Sequence, residues 1–194
     1  MKQAVFIVWI VVVLSSCETT RRDKKYYYPL DSILTEQVQY LMLSHATLSK
    51  KASIDGKEEA TFFVPKDTTR WKYELDVFAE LNDINKPANV GKYHTKKGLK
   101  DSNSNLLIYT IESTETLPVV FLKVYYLDNL SNIRKIEGLY REESSLLQSS
   151  RHLSMEFEKI NNKIVLTSYS IKGGQKMLLG DSVQFTVNGM VTLP

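Results

Sequence analysis

The segment 146–158, Leu-Leu-Gln-Ser-Ser-Arg-His-Leu-Ser-Met-Glu-Phe-Glu, decides the fold. From Leu153 on, apolar residues take every second position (Leu153, Met155, Phe157), with Ser154, Glu156 and Glu158 between them. A period of two belongs to a strand, whose successive side chains point to opposite faces. One apolar face and one polar face mark a half-buried strand of an antiparallel sheet, because parallel sheets are covered on both sides.

The alternation spreads outward from there. Strands are expected near 90–96, 106–112, 119–127, 133–141, 146–158, 163–172 and 183–191. Turn residues separate them at Gly98 to Asn105, Thr116 to Pro118, Asp128-Asn129, Asn161-Asn162 and Gly180-Asp181. Gly173-Gly174, the only paired glycine, is read as a turn and not as a phosphate cradle, since no helix pattern follows it.

Upstream the period is helical. Asp31 or Ser32 is a cap for a helix with Leu34, Val38, Leu41 and Leu48 on one stripe, His45 beside them. Asp55-Gly56 then signals a hairpin with arms near 49–54 and 57–64, because both positions tolerate positive φ. Asp67, Thr68 or Thr69 caps a second helix carrying Trp71, Leu75, Phe78 and Leu81, and Pro87 excludes helix beyond it. Two early helices and many neighbouring strands without helical crossovers predict an α+β domain. Its large antiparallel sheet curls over the helices as an open barrel or half-barrel.

Composition bounds the function without naming it. The 194 residues fit one domain, with ordinary fractions of hydrophobic (43%) and charged (24%) residues. The formal charge of +3 is far below that of a nucleic-acid-binding domain, so no nucleic acid is expected as a partner. A single cysteine excludes an intramolecular disulfide and a cysteine-based metal cluster.

That cysteine sits at the end of a leader. Lys2 precedes an uncharged apolar run from Ala4 to Leu14, which ends in Ser15-Ser16-Cys17. A basic start, a short apolar core and small residues form a secretory signal peptide. Eleven helical residues span only ~16 Å, too little for a bilayer core of about 30 Å. Leu14-Ser15-Ser16-Cys17 resembles the bacterial lipobox. The resemblance implies cleavage before Cys17, a diacylglycerol thioether on its sulfur and an acylated N-terminus, and several acyl chains make a stable anchor. The expected organisation is therefore a signal peptide at 1–16, a lipidated tether at 17–28 and one domain at 29–194. Arg21, Arg22, Lys24 and Lys25 make the tether polar, and Tyr26-Tyr27-Tyr28-Pro29 marks where it docks on the domain.

No catalytic motif stands in the sequence: G-x-S-x-G, the P-loop, H-E-x-x-H and G-x-G-x-x-G are all lacking. His45, His94 and His152 are widely separated, so neither a metal nor a cofactor is expected. Cys17 is consumed by lipid, which removes cysteine nucleophile chemistry. Glu58-Glu59 and Glu142-Glu143 are adjacent, hence on opposite strand faces, and Glu156 and Glu158 form the solvated side of a strand. Tyr125, Tyr126, Tyr140 and Tyr169 read as sheet cover before they read as a ligand platform.

The lipobox, the run Arg70-Trp71-Lys72-Tyr73-Glu74-Leu75 with Asp83-Ile84-Asn85-Lys86-Pro87-Ala88, and the strand-rich end with Tyr169-Ser170-Ile171-Lys172-Gly173 together resemble a family of small lipoproteins of the Bacteroidota. The family carries no known activity. The resemblance implies location: a lipid anchor, in the outer membrane of a Gram-negative cell, on either face. Proteins of such bacteria are often O-glycosylated at Asp followed by Ser or Thr, a short pattern that Asp31-Ser32-Ile33, Asp67-Thr68-Thr69 and Asp181-Ser182-Val183 match; at the first two, helix capping ranks above glycosylation. Two expectations for function follow. One is a non-enzymatic carrier of an apolar or lipid ligand beneath the curled sheet. The other is an interaction module of an envelope protein assembly.

Overall fold

The computed structural model describes residues 26–177 and 180–194. The leader, Cys17 and most of the tether lie outside the described residues. Helix α1 (Leu30–Leu43) leads to strands β1 (Thr47–Ile54) and β2 (Lys57–Phe63), then helix α2 (Thr68–Ala79). Two short 3-10 helices, Glu80–Asn85 and Pro87–Asn89, precede β3 (His94–Lys100) and β4 (Leu107–Glu112). Five longer strands follow: β5 (Val119–Tyr126), β6 (Ile133–Glu143), β7 (Leu147–Ile160), β8 (Lys163–Met177) and β9 (Ser182–Thr192).

From β3 to β9 the chain meanders, each strand pairing antiparallel with the next. The N-terminal hairpin then adds to the far side through β1, giving the order β2-β1-β9-β8-β7-β6-β5-β4-β3. The nine-stranded sheet is curled and not closed, with the two helices against it, as expected from the sequence. Asp55 and Gly56 both take positive φ (47° and 83°) in the β1–β2 turn.

The helices follow their apolar stripes. Asp67 caps α2, its carboxylate accepting the Arg70 N–H at 2.7 Å. Trp71, Leu75 and Phe78 are buried along α2, and Leu81 and Ile84 extend that face into the 3-10 turn. On α1, Leu30, Leu34, Val38 and Leu41 are buried. Full burial of such side chains contributes roughly 1.5–3 kcal/mol each. Gln37 is buried beside them for a polar reason. Its amide donates to the Ile164 carbonyl (2.9 Å) and accepts from the Leu166 N–H (2.7 Å). The β8–β9 register begins only at Ser168, so this stretch of β8 has no β9 residue opposite, and Gln37 supplies its hydrogen bonds.

Several local expectations are corrected. Helix α1 begins at Leu30, preceded by Pro29, so neither Asp31 nor Ser32 caps it. Asp31 instead accepts from the Asn82 side chain. Leu48 belongs to β1: the chain leaves the helix at His45, whose φ is 51°, and Leu48 then points inward. Strand β3 starts at His94 because Pro87–Asn89 is still a 3-10 turn and Gly91 has φ 86°. Gly98 is a bulge within β3 rather than a turn. Gly173-Gly174 lies in the interior of β8, which continues to Met177. Tyr27 and Tyr28 dock as expected, while Tyr26 is half-exposed. Asn85 holds the docked chain, accepting the Tyr27 N–H at 2.9 Å and donating to the Tyr28 carbonyl at 2.8 Å.

Candidate functional site

Registers across β6, β7, β8, β9 and β1 sort the inner-face side chains into cross-strand rows. The first row is Ile136, Met155, Tyr169, Gly189 and Lys50, and the helices cover it. Its three large side chains are 0%, 1% and 3% exposed. Tyr169 packs edge-on against Phe78, ring centroids 5.7 Å apart. The buried Glu74 of α2 meets Lys50 Nζ at 2.7 Å and Arg70 Nη2 at 3.2 Å, which ties the helix to β1.

The second row is Gly138, Leu153, Ile171, Val187 and Ala52. A methyl on Gly138 would stand 2.6 Å from Leu81 Cδ2, so the glycine admits the helical layer close to the strand. Beyond this row the cover ends. The third row is Tyr140, Arg151, Gly173, Phe185 and Ile54, and here burial is only partial, with Ile54 56% exposed. Phe185 folds its ring over Gly173, where a methyl would lie 2.5 Å from the ring. Farther out stand Val183 (38% exposed), Met177 (56%) and, just before β7, Leu146 (65%).

The cause is a length mismatch. A strand advances about 3.4 Å per residue and a helix 1.5 Å, so the 15 residues of β8 outrun the 12 of α2. From Ile171 to Met177 the sheet projects ~20 Å past the helical layer. The result is a partly apolar apron on the inner face, open to solvent and backed by the packed core; its outer row mixes Val183 with Glu142, Ser149 and Gln175.

A charged cluster borders the apron. Arg151 donates to Glu80 at 2.8 Å, its Nη2 lies 3.7 Å from Glu142, and its guanidinium lies 5.0 Å from the Tyr140 ring centroid. Glu80 is pulled two ways: burial, helped by the charges of Glu142 and Asp83, raises its pKa while Arg151 lowers it, and the carboxyl stands above its ordinary value. Glu80 Oε2 and Arg151 Nε are buried without hydrogen-bond partners. The Tyr169 hydroxyl is also held above its ordinary range, chiefly by burial and then by the charge of Glu74.

The residues considered from sequence are scattered. His45 follows α1, His94 opens β3, and His152 lies on the outer face of β7, 3.9 Å from Glu137. Among the described residues no three His, Cys, Asp or Glu side chains are placed to hold a metal. Glu142 lies at the apron border and Glu143 on the opposite face, as adjacent strand residues must. Tyr169 is core and Tyr140 borders the apron; Tyr125 faces outward beneath Lys135. Cys17 lies outside the described residues. The apron itself was missed from sequence. Its signal was available: apolar residues at alternate positions 183, 185 and 187, opposite a glycine pair read as a turn.

Comparison with protein-family models, curated proteins and solved structures finds no match. The likeness to Bacteroidota lipoproteins therefore rests on the quoted residues alone.

Proposed function

We propose that the protein is a lipid-anchored, non-enzymatic binding protein of the bacterial cell envelope that holds an apolar or acyl ligand on the apron. The supporting observation is the uncovered inner face around Phe185, Ile54, Val183 and Met177, in a sheet whose remaining inner face is filled by Trp71, Phe78 and Leu81. Burying the equivalent of ~8 methylenes there contributes roughly 6 kcal/mol, a dissociation constant of tens of micromolar. That is weak enough for loading and release. The anchor on Cys17, with cleavage before it, would keep the site at the membrane from which acyl ligands come; outer-membrane attachment belongs to the same proposal. No helix among the described residues is long and apolar enough to cross a membrane.

The test is native mass spectrometry of the gently purified full chain, with displacement of a fluorescent fatty acid. An acyl adduct and saturable displacement are expected, both weakened at least fivefold by Phe185→Asp. A wild-type chain that neither carries nor binds an acyl group refutes the reading. A second reading, an interaction module of an envelope assembly, is favoured by Phe62 and Met190. They flank Ser49 in one outer-face row and are 69% and 64% exposed. In-cell crosslinking from position 62 to one stoichiometric partner would support it, and crosslinks only to bulk envelope proteins would count against it.

A further inference from the structure

The outer face of the sheet carries a second concavity, on the side opposite the apron. Alternation places Arg141, Ser150, Gly174 and Gln184 in one outward cross-strand row. Ser150 and Gly174 are too small to fill the middle of that row, and a groove of about 630 Å³ opens over them. Gln184 reaches across the glycine, its Nε2 lying 2.5 Å from where a methyl on Gly174 would be. The next rows wall the hollow, with His152 and Lys172 on one side and Gln148 and Lys176 on the other. Lys172 and Lys176 stand four residues apart on one strand face, ~14 Å along it, and so flank the hollow from opposite ends.

The charges around it are unbalanced. Two other cations of the outer face are paired, Lys135 with Glu137 at 2.6 Å and Lys51 with Glu58 at 2.9 Å. Arg141, Lys172 and Lys176 have no ion-pair partner among the described residues. Of the nearby carboxylates, Glu143 accepts from the Gln148 amide at 3.2 Å, and Glu142 points to the other face, 3.7 Å from Arg151. Three cations facing one hollow repel one another, and a multiply charged anion between them removes that repulsion. The floor supplies neutral donors, the Gln184 amide and the Ser150 hydroxyl. An arginine fork beside lysine point charges suits a phosphate in particular.

We infer that this hollow binds a phosphate group, clamped by Arg141, Lys172 and Lys176 over the Ser150–Gly174 floor. The site is independent of the apron, and the phosphate is either that of a free solute or that of a lipid headgroup. The full-length chain in neutral detergent is titrated calorimetrically with inorganic pyrophosphate and, separately, with short-chain phosphatidic acid. Short-chain phosphatidylcholine is the control for tail binding. One-to-one binding is expected, weakened at least tenfold in the Lys172→Gln/Lys176→Gln double variant. It should be unchanged in Lys123→Gln, on the same face outside the hollow. Binding of pyrophosphate supports a free phosphate ligand. Binding of phosphatidic acid alone, lost in the double variant, supports a headgroup. No saturable binding of either probe, or equal binding by wild type and double variant, overturns the inference.

Discussion

Replacing Gly189 with alanine tests the packing on which the helical layer depends. Gly189 sits opposite Tyr169 on the inner face, and the tyrosine ring lies over it. An added methyl would fall within that ring, 2.8 Å from its hydroxyl oxygen. The ring has nowhere to go, being 3% exposed and wedged against Phe78. Overpacking of this kind costs about 1–3 kcal/mol. Alanine recovers about 0.5–1 kcal/mol of the backbone entropy that glycine loses in a strand. The net loss is then roughly 1–2 kcal/mol, and Tm should fall by ~2–8 °C for a chain of this size.

The double-mutant cycle makes the test specific. Tyr169→Ala alone should cost about 3–5 kcal/mol as an aromatic deletion from a core. With the ring gone, Gly189→Ala should become neutral or slightly stabilising, a coupling of ~2 kcal/mol between the two positions. Urea unfolding of all four proteins measures it. If Gly189→Ala destabilises equally in both backgrounds, the ring does not set the requirement for glycine. If it destabilises in neither, the Tyr169–Gly189 contact does not exist in solution.

Three further outcomes are expected from the same construction. Gln37→Ala strands the Ile164 carbonyl and the Leu166 N–H on β8, and urea unfolding should show a loss of about 2–3 kcal/mol, whereas the exposed Gln39→Ala should be silent. Asp67→Ala removes the α2 cap and should cost ~1 kcal/mol, with Asp67→Asn retaining most of it. Glu80 has a raised pKa in the fold, so the folded state binds its proton more tightly than the unfolded chain. The group's contribution therefore falls as pH rises from the ordinary carboxyl value of 4.5 through its folded pKa. The stability difference between wild type and Glu80→Gln should shift against the wild type across that window; a constant difference would show that Glu80 titrates normally.

The fold was legible wherever one side chain per pair of residues faced a core. Leu153, Met155 and Phe157 revealed β7, and Trp71, Leu75 and Phe78 revealed α2, because burial on one side leaves a period in the sequence. The signal failed where that contrast weakened. Past Lys172 both faces of β8 are half-exposed, so the Gly173-Gly174 pair imitated a turn. The glycines serve two faces: Gly173 makes room for Phe185 on the inside, and Gly174 leaves the hollow on the outside. Leu48 kept helical spacing from Leu41 by coincidence, since the turn at His45 redirects the chain without interrupting the apolar sequence. The charged clusters were not legible at all. Glu74 meets Lys50 across 24 residues and Arg151 meets Glu80 across 71, separations that only the register brings together.

The openness of the sheet has its own physical basis. A curled sheet of nine strands has two edges, and each unpaired edge invites closure or pairing with another chain. Here β3 presents Lys96, Lys97 and Lys100 with a bulge at Gly98, and β2 presents Lys57, Glu58 and Glu59. Every residue of β3 is exposed, so the strand adds charge and little buried apolar area. Such edges resist pairing with each other and with neighbouring molecules, which keeps the inner face accessible from the side the helices leave bare. Removing the edge charge of β3, with Lys96 and Lys100 both changed to valine, should therefore produce concentration-dependent association in sedimentation velocity while the wild type stays monomeric. If the variant stays monomeric as well, edge charge is not what keeps this sheet open.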